Sequence, residues 1–424
     1  MQFKSIVLTL IISGLAIAQS ETQNLLNLDE LIKEGLANNP TRKAYSEDIN
    51  AAASRVIQSG TLPDPMLSIN LMNIPFENFG FDQEPMSGKQ LGFKQGIPFP
   101  GKLKLKAQVA EVGVEISREQ YAEVSNSLIR DISHTYFNLF FIDEAIKTIE
   151  KNRQLVNELQ KVAQQKYVVG KGLQQDVLKA QVELSLMTER MISLKQQRER
   201  IESNLNLLLN RPIGQAVGIT NRPKIRFNNL SFEDLKELGE ENRPLLKLWQ
   251  KRIQQSDRKI DLARKNFLPD FAVSAAYTQR DVLTTGMGGA DFFSTGISLN
   301  LPIYAKNKQK QHVQEERILH RSVLERQESM QQQVSKQINN ALTELNQNIE
   351  LLELYRTGIV PQAAQALEST LTGYQTDKVD FLTLISSQMT LFNLELEYVR
   401  LISTNNINVA DLEFAIGTSL PATD

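Results

Sequence analysis

The chain carries one long pattern twice. Leu28 to Pro40 returns as Phe232 to Pro244, and Leu62-Pro63-Asp64 returns as Leu268-Pro269-Asp270. Gly92…Ile97-Pro98 returns as Gly296…Leu301-Pro302, Tyr167 as Tyr374, and Leu178…Gln181…Leu184 as Ile385…Gln388…Leu391. The offset stays between 204 and 207 along the whole chain. Solenoid units run only ~20–50 residues, so this is one large supersecondary unit duplicated. The copies are expected over 19–223 and 224–424.

Charge and composition narrow the possibilities. The net charge is -2, which leaves no whole-chain basic footprint for nucleic acid. There is no cysteine, hence no disulfide, no thiol nucleophile, no thiolate metal site and no N-terminal lipid anchor through sulfur. Residues 1–18 read as a secretory signal peptide: Lys4, a short apolar run from Ile6, and Ala16-Ile17-Ala18 before Gln19. No other run approaches the ~20 apolar residues of a spanning helix. If this chain sits in a membrane, it does so by strands.

Each copy reads as two short helices, a strand pair, then a long helical hairpin. Strands are expected at ~66–74, ~89–97, ~270–279 and ~292–301, with hairpins at ~101–210 and ~305–417. No proline occurs between Pro100 and Pro212, and the stretch is rich in helix formers. The return helix repeats apolar residues every three or four positions, at Val177, Ala180, Leu184, Met187, Met191 and Leu194. Two such rods make an antiparallel coiled coil. Pro361 is expected to kink the second copy's outgoing helix.

The strands alternate. One face carries Ser68, Asn70, Lys94, Ser274, Thr278, Ser298 and Asn300 with glycines; the other carries Leu67, Ile69, Leu71, Phe93, Val273, Tyr277 and Ile297. Small polar inside and apolar outside, flanked by aromatics, is a membrane-barrel wall, and the first set is expected to line its lumen. Four strands cannot close a barrel, because edge groups would lie unpaired in lipid. Three chains would supply twelve. The fold class is therefore mainly α with a transmembrane β portion: antiparallel coiled-coil hairpins plus four strands per chain, trimerising into a twelve-stranded barrel and a helical tunnel.

The duplicated strand-pair-plus-hairpin unit resembles the TolC family of outer-membrane efflux factors. The resemblance covers Leu28 to Gly417 and includes the matching turns Tyr167-x-x-Gly170 and Tyr374-x-x-Asp377. Leu62-Pro-Asp-Pro-Met-Leu67, followed by Gly96-Ile-Pro-Phe-Pro-Gly-Lys102, is similar to the cobalt–zinc–cadmium and copper–silver branch. The resemblance implies a homotrimer in the outer membrane of a Gram-negative bacterium, with a periplasmic helical extension. It implies a periplasmic adaptor as partner and, through it, an inner-membrane resistance-nodulation-division pump. The chain would be a passive duct for small molecules or metal cations, with no cofactor and no catalysis.

The family's adaptor contacts lie at the hairpin tips, here Val169, Gly170, Lys171, Gly172, Leu173, Asp377, Lys378 and Val379. Leu173 and Val379 are expected to offer apolar knobs. Family members commonly place acidic residues at the narrow end, on the returning helix of the second copy; this chain has Thr383 and Ser386 there. Asp176, Asp377, Asp380 and Thr383 are the aperture candidates, since three copies of an aspartate make a cation-attracting ring. Asp380 equally fits a helix N-cap. His134, His312 and His320 are too scattered to ligate one metal, and Met187 with Met191 reads as seam packing. No phosphate loop or nucleophile elbow appears. The alternative function is a secreted coiled-coil scaffold or adhesin without a pore, which would have no use for the alternating strands.

Overall fold

Capping side chains and prolines set where the short helices begin. The computed structural model describes residues 25–227 and 230–420, so the expected signal peptide at 1–18 lies outside the described residues. A two-residue strand, β1 (Leu25–Leu26), precedes α1 (Leu28–Asn38) and pairs in parallel with β4 (Ile219–Thr220). Asn39 accepts from Arg42 N and so caps α2 (Pro40–Gly60), whose first residue has no N–H to satisfy. In the second copy Ser231 and Asp234 form a capping box on α5 (Phe232–Asn242), and Pro244 opens α6 (Pro244–Lys265).

The long rods follow. α3 runs Lys102–Val168, 67 residues; at 1.5 Å per residue it is about 100 Å long. It turns back as α4 (Gln174–Leu209). The second hairpin is α7 (Gln309–Leu354), a π-helical turn at Tyr355–Ile359, α8 (Val360–Gln375) and the return helix α9 (Phe381–Ile416). The wide turn sits just before Pro361, which cannot donate to Thr357 O and whose ring crowds that carbonyl. The disturbance expected at Pro361 is thus a π-bulge.

Four apolar clusters are strung along the rods. Nearest the tips, Val156, Ala180 and Met187 of the first hairpin share a core with Tyr374, Phe381, Leu384 and Phe392 of the second. Met187 and Met191 belong to this core. Further along, Arg243 is buried to 1% exposure; its Nη2 donates to Glu123 Oε1 at 2.7 Å and its guanidinium lies 3.7 Å from the Phe414 ring. Burial pushes the Glu123 carboxyl up and the Arg243 guanidinium down, since each charged form loses water.

One four-stranded antiparallel sheet stands at the end opposite the tips, in the order β2-β3-β5-β6. The strands are β2 (Met66–Met72), β3 (Gly88–Ile97), β5 (Phe271–Gln279) and β6 (Phe292–Leu299). Three bounds differ from expectation by two residues or more. β2 ends at Met72 rather than ~74, because Asn73 turns to φ +50 and starts the connection to β3. β6 ends at Leu299 rather than ~301: Asn300 N makes one last in-register bond to Asp270 O, and Pro302 beyond it has no donor. α7 begins at Gln309 rather than ~305, because residues 303–308 form successive turns.

Candidate functional site

The register places the small polar residues together. Ser68 stands opposite Gly92, Lys94 opposite Ser274, Gln90 opposite Thr278, and Ala272 opposite Ser298. Directly opposed residues share a face, so Ser68, Asn70, Lys94, Ser274, Thr278 and Ser298 lie on one side of the sheet. Asn300 lies one residue beyond β6, at the rim of that face. The opposite side carries Leu67, Ile69, Phe93, Tyr277, Phe293 and Ile297, all exposed, with Ile69 and Ile297 each at 76%. Glycine leaves room for the serines on the polar face: a Cβ on Gly92 would stand 2.6 Å from Ser68 Oγ, and one on Gly296 3.0 Å from Ser274 Oγ, so either hydroxyl would have to turn aside.

Where sheet meets rods, the repeated Leu-Pro-Asp acquires a purpose. Asp270 Oδ1 accepts from Phe99 N at 2.8 Å and from Lys102 Nζ at 2.8 Å, and Lys102 Nζ also donates to Leu268 O at 2.9 Å. Lys102 is buried. This clasp ties the first residue of α3 to the segment entering β5.

The hairpin tips form by the same turn twice. α3 ends with Gly170 at φ +74, its N–H donating to Tyr167 O, while Lys171 N donates to Lys166 O at 2.8 Å. α8 ends with Asp377 at φ +59, its N–H donating to Tyr374 O, while Lys378 N donates to Gly373 O at 2.8 Å. A left-handed residue after the helix end satisfies the last carbonyls in both. The two tips lie side by side: Lys166 Nζ donates to Asp377 Oδ1 at 2.6 Å and to Tyr374 O at 2.8 Å. It also sits 4.1 Å from the Tyr374 ring. The hydrogen bond from Lys166, then its charge, holds the Asp377 carboxyl below the ordinary carboxylate range.

A family model described as outer membrane efflux protein matches residues 31–211 and again 237–418. The chain belongs to the outer membrane efflux protein family. As an efflux protein it acts in transport at the outer membrane. It is 20% identical over 396 residues to the cobalt-zinc-cadmium resistance protein CzcC of Cupriavidus metallidurans, covering 89% of this chain and 87% of that one. Its fold matches the outer-membrane channel OprN with a TM-score of 0.79 at 17% identity, over 92% of this chain and 90% of that one. It matches VceC from Vibrio cholerae with a TM-score of 0.77 at 16% identity, over 92% and 96%. The comparisons give the poreless scaffold no support.

The efflux protein's tip residues are not equally available. Val169 and Leu173 are exposed at 67% and 59%, as is Val168 at 76%, which periodicity did not single out. Val379 is a half-buried residue, not the projecting knob expected, because it packs over Gly373, where a Cβ would meet Val379 Cγ2 at 2.5 Å. Gly170, Lys171 and Lys378 are exposed, while Gly172 is half-buried against Lys166. Among the aperture candidates, Asp176 is buried beneath the turn, and Asp380 Oδ1 accepts from Thr383 N at 2.7 Å, capping α9. Asp377 is committed to Lys166. Lys166 itself was missed; its signal is a lysine in the last turn of α3, where a cation meets free carbonyls.

The histidines are held by local partners. His134 Nε2 lies 2.9 Å from Asp411, His312 Nδ1 lies 3.3 Å from Glu315, and His320 Nδ1 lies 2.8 Å from Ser256 Oγ. No three metal-ligating side chains gather among the described residues, and none of the described helices is long and apolar enough to cross a membrane.

Proposed function

We propose that three copies of this efflux protein close a twelve-stranded barrel in the outer membrane, with the long hairpins continuing as a tunnel into the periplasm. The observation that carries the reading is the four-stranded sheet: one face mainly apolar and exposed, the other mainly polar with Met66, Met72 and Phe292 toward its ends, and both edge strands, β2 and β6, paired on one side only. In lipid such edges must be paired. The lumen is lined by Ser68, Asn70, Lys94, Ser274 and Ser298, with Asn300 at its rim; Thr278 lies on the same face but is covered, accepting from Gln90 Nε2 at 3.2 Å.

The tips receive a periplasmic adaptor. Val169 to Leu173 and Asp377 with Lys378 offer exposed apolar and charged side chains on tight turns, and Asp377, Asp380 and Thr383 border the narrow opening, with Asp176 covered behind them. Energy comes from an inner-membrane pump reached through the adaptor, and this chain is the passive duct. The likeness to a cobalt-zinc-cadmium resistance protein favours divalent metal cations as cargo.

Detergent-extracted protein from the outer-membrane fraction should migrate as a heat-sensitive trimer and give discrete conductance steps in planar bilayers. Soluble monomer without conductance overturns the duct. Deleting the gene should sensitise cells to cobalt, zinc or cadmium; unchanged metal tolerance with new drug sensitivity would reassign the cargo.

A further inference from the structure

The two hairpins of the sheet obey one register rule. Ser68 stands opposite Gly92, and Ser274 opposite Gly296. The serine moves by 206 positions between copies and the glycine by 204, the same offsets that separate Asp64 from Asp270 and Pro98 from Pro302. In both hairpins the serine Oγ donates to the opposed glycine carbonyl, at 3.5 and 3.3 Å. The internal repeat therefore holds at the level of individual backbone pairs.

Between the copies runs a seam, β3 against β5, with Lys94 opposite Ser274 and, below it, the Lys102–Asp270 clasp. The same offsets carry this seam onto the two free edges. Lys94 maps to Ser298 on β6 and Ser274 to Ser68 on β2; Lys102 maps to Lys306 and Asp270 to Asp64. Asp64 and Lys306 are both exposed, whereas Lys102 is buried. The second copy also departs from the first at this point: α3 starts at Lys102, but its counterpart Lys306 lies in turns ahead of α7. Half of the clasp is present on each edge of the sheet, and each half faces outward.

We propose that the seam between chains repeats the seam within the chain. β6 of one chain pairs antiparallel with β2 of the next, Ser298 lies opposite the partner's Ser68, and Lys306 reaches the partner's Asp64 at the base of the barrel. This rests on the trimeric reading above and adds the register. A slip of one residue would turn Leu67 and Ile69 into the lumen. A slip of two would keep the faces but draw Lys306 and the partner's Asp64 apart by about 7 Å.

The absence of native cysteine makes the register directly testable. In outer membranes oxidised with copper phenanthroline, Ser68→Cys with Ser298→Cys should yield covalent dimers and trimers on denaturing gels. Ser68→Cys with Ser294→Cys, four residues out of register, should not. Lys94→Cys with Ser274→Cys should consume thiols within a single chain and calibrates the reaction. A heat-sensitive trimer that links through 294, or through neither pair, overturns the register and leaves the trimer standing. Absence of any trimer removes both. For the clasp, Asp64→Lys and Lys306→Asp should each lower the temperature at which the trimer dissociates, and the double exchange should restore it; a double exchange no better than either single change overturns the ion pair.

Discussion

Lys166, in the last turn of α3, donates to Asp377 at the far end of α8, 2.6 Å away, and the same ammonium holds the Tyr374 carbonyl. One side chain thus joins the tips of the two hairpins. It also explains why the left-handed position occupied by Gly170 in the first copy is an aspartate in the second. Asp tolerates φ > 0 better than most residues, and here its carboxylate gains a partner that glycine cannot offer.

Acid should release this link. Because the folded state holds the Asp377 carboxyl below its ordinary value, the stabilisation is present above that value and is lost as pH falls through the depressed one. Single-channel conductance should be steady from neutral pH down to the ordinary carboxylate range and change below it. Asp377→Asn should show the acid behaviour at every pH. Identical profiles for the two proteins would remove Asp377 from control of the tip.

Asp380 tests cap against ring. Its carboxylate accepts from Thr383 N, a role asparagine also fills. Asp380→Asn should leave protease resistance at the start of α9 unchanged, and Asp380→Ala should lower it. Loss of cation preference in the Asn variant would assign the charge itself to the opening.

The glycine on the lumen face should be size-limited. Gly92→Ala displaces the Ser68 hydroxyl from its place over the Gly92 carbonyl and should cost no more than about 1 kcal/mol, the scale of a side chain forced off its rotamer. Ser68→Gly in the same chain should recover most of it. Urea midpoints of the refolded barrel measure both.

Arg243→Ala strands Glu123 in the interior, and breaking a buried pair costs about 3–5 kcal/mol. Burial already raises the Glu123 carboxyl, and losing the guanidinium raises it further. A raised folded-state pKa adds stability below the unfolded value and loses it as pH rises. The thermal midpoint of the variant should therefore improve toward acid, and an improvement of equal size in wild type would refute the assignment.

Neighbouring residues of β6 should respond oppositely to charge. Ile297→Lys puts an ammonium on the apolar face and should cost up to about 2–4 kcal/mol in a bilayer. Ser298→Lys points the other way and should insert normally while shifting ion preference. Folding into lipid vesicles, followed by heat-modifiability, separates the two.

Much of this architecture is written in local patterns. The cap at Asp380, the apolar period of α9 and the alternation in Phe271–Gln279 depend on residues a few positions apart, so they are legible in one dimension. Asp176 and Val379 were less legible: both lie beside a turn, but one is covered by its own tip and the other packs over Gly373. The Lys102–Asp270 clasp joins residues 168 positions apart, and Lys166–Asp377 joins residues 211 apart. By itself, the sequence determined that a strand pair and a hairpin occur twice and which strand faces are polar. Only the tertiary structure decided that β3 meets β5 and which lysine finds which aspartate. Those contacts depend on where two rods of about 100 Å place their ends in space, and periodicity along a chain does not encode that.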